Sequence, residues 1–286
     1  MTTRYLAAPA LGTGVLMAAY LLLRPYGDVG GALDQAQAYA SPRWVVAHVC
    51  GLLALASFAR LALRVCDLID PGVGGSGLPG ARSARLGRWL ALAGATLALP
   101  PYGVEAVGLH VAGARHLAGD PGALALVSQL RGDPLGVAMF ALGLALLAAA
   151  GIALGLTWQR SGLGCGLDNG LPTGLPTGLR DGLDSGLPIG LRDGLDSGLR
   201  NGLAARSLSR FAAWPLGVLM AAFVPQFLLP PPGRMAYGVA YLAAALWLLG
   251  SADSARTDGA DGADADHAAD PGDPADPGDR AAQWRA

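Results

Sequence analysis

Three residues carry most of the chemistry this chain offers. His48, Glu105 and His110 are of the types that hold Zn2+ or a similar ion, and Glu105 alone is the type that takes up a proton inside a membrane. His48 and His110, on facing helices, could also supply both axial ligands of a haem. The spacing is less helpful. Glu105 and His110 are five residues apart, about 140° around a regular helix, so they share a site only where the backbone is irregular. There is no HExxH and no paired Glu-x-x-His. No cofactor, metal ion or catalytic residue is therefore assigned; enzymatic activity stays open, with the balance against it.

The stretch that contains two of these residues is LALPPYGVEAVGLHVAG, Leu97 to Gly113. Pro100 and Pro101 lack the N–H that a helix needs, so the hydrogen-bond ladder is expected to break just before Tyr102. A broken helix at membrane depth is tolerated where protein or a watery cavity satisfies the freed carbonyls. The expectation is a polar pocket containing His48, Tyr102, Glu105, His110 and Gln226, with Pro225 bending the chain beside Gln226. The competing reading puts Glu105 and His110 in the headgroup region, with no pocket.

The elements that must position these residues are apolar helices. Of 286 residues 52% are hydrophobic and only 14% charged, and mean hydropathy is positive, unlike a typical soluble domain. Six runs are long enough to be read as crossing about 30 Å of hydrocarbon: Tyr5 to Leu23, Trp44 to Leu63, Leu86 to Leu109, Leu135 to Thr157, Phe211 to Leu229 and Met235 to Gly250. The fold class expected is all-α, a polytopic bundle of about six transmembrane helices. "AYA" at Ala38 to Ala40 resembles a signal-peptide cleavage site but lies too far from the first run, which is read as an uncleaved helix.

Arginine placement sets the orientation. With the amino terminus inside, Arg4, Arg60, Arg64, Arg82, Arg85, Arg88, Arg160, Arg206, Arg210 and Arg256 lie on the inner side. Arg24, Arg43, Arg115, Arg131 and Arg234 lie on the outer. Both termini are expected in the cytoplasm, in a plasma-membrane protein. Glu105 then lies about 25 Å beyond Arg88 and His110 about 33 Å, while His48 is about 7 to 8 Å in from Arg43. All three approach the outer face.

Two segments are not core. Between residues 161 and 206 runs a Gly-Leu-x-x array, in which Gly every fourth residue costs roughly 1 kcal/mol each in a helix and Pro172, Pro176 and Pro188 cost more. It reads as a disordered linker or, using its regular leucines, as a docking segment. From 252 to 286 the chain is rich in Asp, Ala, Gly and Pro and is expected to be disordered. The membrane part is thus 1–160, four helices, completed by 207–251, two more. The lipid bilayer is one partner; a protein partner would be met by the array or the tail. Between the third and fourth runs, Gly122 to Leu130 reads as a short interfacial helix, and Asp120 and Asp133 as caps before Pro121 and Pro134.

All 20 basic residues are Arg, which with the Ala, Gly and Pro content suggests a high-GC bacterial coding bias. Walker A loops, Schiff-base lysines and Ser-Lys pairs are excluded. The net charge of -1 gives no case for nucleic acid, and Gly-x-Gly-Gly-x-Gly within Asp70 to Arg85 follows a helix rather than a strand, so it reads as a hinge. Cys50, Cys66 and Cys165 form no CxxC pair.

At SPRWVVAHVCGLLALASFARLAL and LPPYGVEAVGLHVAG the chain resembles uncharacterised multi-pass membrane proteins of high-GC Gram-positive bacteria. The resemblance covers roughly 1–160 and 207–250. It implies a helical membrane architecture and brings no activity, ligand or catalytic residue. Two function classes follow: a small permease or an accessory or sensor subunit with a polar pocket near the outer face, or a membrane-embedded metal or haem enzyme using His48, Glu105 and His110.

Overall fold

A computed structural model describes residues 2–70, 79–161 and 209–267, without the side chains of 2–4, 28, 29 and 253–267. The Gly-Leu array and the tail beyond His267 lie outside the described residues. Eight α-helices are present among them: α1 Thr2–Leu23, α2 Ala32–Ala40, α3 Pro42–Ile69, α4 Ala81–Leu117, α5 Ala123–Gly132, α6 Pro134–Ser161, α7 Trp214–Ala221 and α8 Pro231–His267. Short 3-10 turns occupy Tyr26–Val29 and Pro225–Leu228. No strand occurs among the described residues.

Five helices are long and apolar enough to cross a membrane: α1 from Tyr5, α3, α4, α6, and α8 as far as Ala252. Their outer faces carry exposed Val15, Leu53, Trp89, Leu142, Ile152 and Trp247, the surface of a bundle solvated by lipid rather than water. Lipid provides little hydrophobic drive between helices, so association depends on close packing of small residues. A β-carbon at Gly143 would come within 2.6 Å of the Ala98 nitrogen, and one at Gly94 within 2.8 Å of the Gly143 carbonyl, so α4 and α6 touch backbone to backbone. Between α1 and α8, Gly14 meets Ala245 and Tyr241 in the same way. Large side chains fill what remains, with Trp158, Tyr20, Tyr102, Tyr241 and Phe58 almost fully buried.

The fifth apolar run differs from the expected continuous helix. Phe211 to Leu229 resolves into turns, the eight residues of α7 and the 3-10 turn, because Pro225 lacks the N–H that would extend α7. It still runs the length of the bundle. Trp158 near the end of α6 donates to the Ser209 carbonyl at 3.0 Å, whereas Phe227 lies beneath Arg24, just beyond α1. In between, Gly217 lies on the backbone of Gly151, and Trp214 on Gly155. The GxxxG pair in α6 thus receives this segment.

Two ends of the bundle follow from these antiparallel packings. At one, Asp70 on the last residue after α3 pairs with Arg85 on α4 at 2.9 Å. At the other lie Arg24, Trp44 and the start of α6. Here α4 outlasts its neighbours: 37 residues reach about 55 Å, well beyond a hydrocarbon core of about 30 Å. Its last turns are covered by α2 and α5, where Tyr39, Trp44, Leu109, Ala112 and Val127 form a second small core. Asp133 accepts from Gly136 N at 2.7 Å, the expected cap of α6, and α5 stands where an interfacial helix was expected.

Candidate functional site

The double proline does not break α4. The helix continues through Pro100 and Pro101 to Leu117, although the carbonyls of Thr96 and Leu97 lose their usual donors. Proline's fixed φ is itself helical, and packing on both sides holds the register. Ala98 is pressed against Gly143 of α6, and Tyr102 lies against Gly51 of α3, where a β-carbon would overlap its hydroxyl.

Because the helix is regular, Glu105 and His110 face different neighbours. Glu105, the only glutamate in the chain, accepts from Arg131 Nη2 at 2.8 Å. The same guanidinium donates through Nη1 to the Tyr39 hydroxyl at 3.0 Å and lies over the Tyr39 ring. His110 instead bonds the Tyr39 backbone carbonyl through Nδ1 at 2.9 Å. A carbonyl only accepts, so that nitrogen carries the proton. Tyr39 thereby joins the two residues that the sequence places on opposite flanks of α4.

His48 is buried, and its Nδ1 donates to the Trp44 carbonyl one turn earlier at 2.8 Å. Aromatic rings surround it: Trp44 at 4.0 Å between centroids, Tyr20 at 5.5 Å and Tyr102 at 5.6 Å. Gln226, on the 3-10 turn after α7, is buried, and neither amide atom has a hydrogen-bond partner among the described residues. No group of three or more His, Cys, Asp or Glu side chains is gathered among the described residues.

A cavity of about 560 Å3 opens between α4 and the start of α6. Its deeper wall is Pro100, Pro101 and Phe140, the last stacked on Tyr102 at 5.9 Å and 14°. Its charged end is Glu105, Arg131 and Asp133. Of the five expected pocket residues, Tyr102 and Glu105 line this cavity, whereas His48, His110 and Gln226 do not. The His48 ring lies 5.6 Å from that of Tyr102 without lining the cavity.

Several participants were not identified as such from the sequence. In the sequence Arg131 bears only on orientation, and its partner is 26 positions away on another helix. Arg24, 8% exposed, donates to the Tyr20 hydroxyl at 3.0 Å and lies over the rings of Trp44 and Phe227. A buried arginine framed by aromatic faces is a recurrent cation–π arrangement, but its ring partners come from three separate segments. Helix α2 is likewise absent from the expected elements. Its signal is slight: Asp34 accepts from Gly31 N at its amino end, and its nine residues bury only Ala36, Ala38 and Tyr39.

Compared with models of protein families, with curated proteins and with solved structures, the chain has no match.

Proposed function

We propose that this is a multi-pass protein of the cytoplasmic membrane that binds a small molecule rather than transforming one, as a small permease or as the binding subunit of a larger assembly. The observation that supports it is the cavity: about 560 Å3, within the size range of small-molecule sites, with apolar walls and one cluster of charge at its end. Glu105 is half-buried and held by Arg131, so it is poised to meet a ligand or to exchange a proton without first being freed from a packed core. In this reading the segment 209–228 is a sixth, broken crossing. Both termini then lie on one side, and the arginine bias makes that side cytoplasmic, with the cavity facing out.

The test compares compounds that accompany the purified protein. Val104→Trp fills the cavity from its rim, and at least one stoichiometric compound extracted with the wild type is expected to be depleted from it. Identical extracts would overturn the proposal. Topology has a separate check: a reporter active only outside the cytoplasm, fused after Ala286, is expected to be silent.

A further inference from the structure

We infer that the cavity beside Glu105 is a lateral seat for a zwitterionic phospholipid, taken from the leaflet at the Arg131 end with its head on Glu105, Arg131 and Asp133. The inference rests on the binding proposal above and names its ligand.

The direction of entry comes from exposure. Val104 is 52% exposed and continues the outward face that Val107 and Val111 form on α4, yet it also lines the cavity. On the opposite rim, Leu135 is 68% and Val137 51% exposed, in a first turn of α6 that is open on most sides. The opening is therefore on the flank of the bundle, where the neighbouring phase is lipid, and not on its axis. The stacked rings of Tyr102 and Phe140 line the cavity, and Tyr102 is also in contact with His48. A bilayer lipid is already beside such an opening.

The shape then selects an amphiphile. From Leu109 to Pro100 the wall runs nine residues, about 13 Å along α4. Charged groups occupy the end near the membrane surface, and the deep end at Pro100, Pro101 and Met139 is apolar. That order, polar head at the interface and apolar chain toward the midplane, is the order within a lipid.

The charge pattern selects the head. The cluster holds one guanidinium and two carboxylates. A simple anion would sit on the guanidinium but be repelled by both carboxylates, and a simple cation would meet the reverse. A head carrying phosphate and ammonium meets both: phosphate beside Arg131 and ammonium beside Glu105 and Asp133. Arg131 is 37% exposed at its side chain and Glu105 28%, so a head can reach them without dismantling the helix packing.

The experiment uses the full chain in nanodiscs made from equal amounts of phosphatidylethanolamine and phosphatidylglycerol, released into a mass spectrometer that preserves bound lipid. Wild type is expected to retain one lipid, with the ethanolamine head enriched about fivefold or more over the bulk mixture, about 1 kcal/mol of preference. Val104→Trp is expected to lose retention; Met139→Phe, a milder filling of the deep end, guards against a folding defect. Glu105→Gln is expected to retain lipid but lose the head preference, because the carboxylates meet the ammonium whereas both heads carry the phosphate that Arg131 meets. Equal retention of both heads by wild type, or undiminished retention in both filled variants, overturns the inference. If a compound other than lipid is depleted from Val104→Trp, the lipid assignment fails while the binding proposal stands. If nothing differs between wild type and the filled variants, both fail.

Discussion

The two ends of this bundle manage arginine in different ways. At the Asp70 end, Arg85 and Arg88 pair with Asp70 at 2.9 Å and Asp67 at 3.5 Å, and the carboxylates sit at the end of the helix that the arginines follow. These contacts pin α3 to α4 across a short connection. At the other end Arg24, Arg131 and Arg234 all lie over aromatic rings, and Arg131 also pairs with Glu105 at 2.8 Å. Ion pairs, together with Arg64 over the Tyr5 ring at 3.9 Å, close the Asp70 end. At the other end α2 and α5 are laid over the extended α4, and the cavity of about 560 Å3 is found there. A volume beside a charged cluster is what separates a place for a ligand from a place for a fastening.

The largest expected effect breaks the ringed end. Gly113 of α4 lies under α2 so closely that a β-carbon would approach Ala40 N to 2.7 Å and the Ala36 carbonyl to 2.8 Å. Gly113→Leu must lift α2 and carry Tyr39 off Arg131, costing about 3 kcal/mol. Thermal unfolding in detergent is expected to show this loss. A midpoint like wild type would mean that α2 is not fastened to α4.

At the opposite end the expected effect is smaller and directional. The Asp70 side chain is 7% exposed while that of Arg85 is 58% exposed. Arg85→Ala leaves a buried carboxylate without its cation and is expected to cost about 1 to 2 kcal/mol. Asp70→Asn leaves only a solvated arginine behind and should cost less. Equal losses would show that the pair is no more than a surface contact.

Each end also buries a polar side chain without a hydrogen-bond partner among the described residues: Gln226 at the ringed end and Thr157 at the other. Replacing such a group by an apolar one removes a desolvation cost. Gln226→Leu is expected to raise stability by about 1 kcal/mol and Thr157→Val by about 0.5 kcal/mol. Loss of stability in Gln226→Leu would show that the amide has a structural partner after all.

How much of this was legible in the chain depends on whether a feature is local. Continuous apolar runs such as Leu135 to Thr157 read directly as helices, because length and hydropathy are properties of the run itself. Pro225 was legible as a bend, yet the same rule misled at Pro100 and Pro101. There the tertiary contacts of Ala98 and Tyr102 keep α4 continuous, and contacts of that kind leave no trace in a window of sequence. For the site, Glu105 and Tyr102 were found as polar residues in an apolar run. Their partners Arg131 and Phe140 were not, since one lies on another helix and the other is an ordinary apolar residue of α6.

The smallest effect bears most directly on what the cavity is for. Glu105 and Arg131 are both partly exposed, and partly exposed ion pairs usually couple by less than about 1 kcal/mol. A double-mutant cycle of Glu105→Gln and Arg131→Gln on thermal stability is expected to give about 0.5 kcal/mol. A coupling above about 2 kcal/mol would make the pair a strut, equivalent in kind to Asp70 with Arg85, and would erase the contrast between the two ends. A small coupling has the opposite force: the chain's only glutamate, placed at the mouth of a cavity and contributing little to folding, is then a group whose value lies in what it meets there.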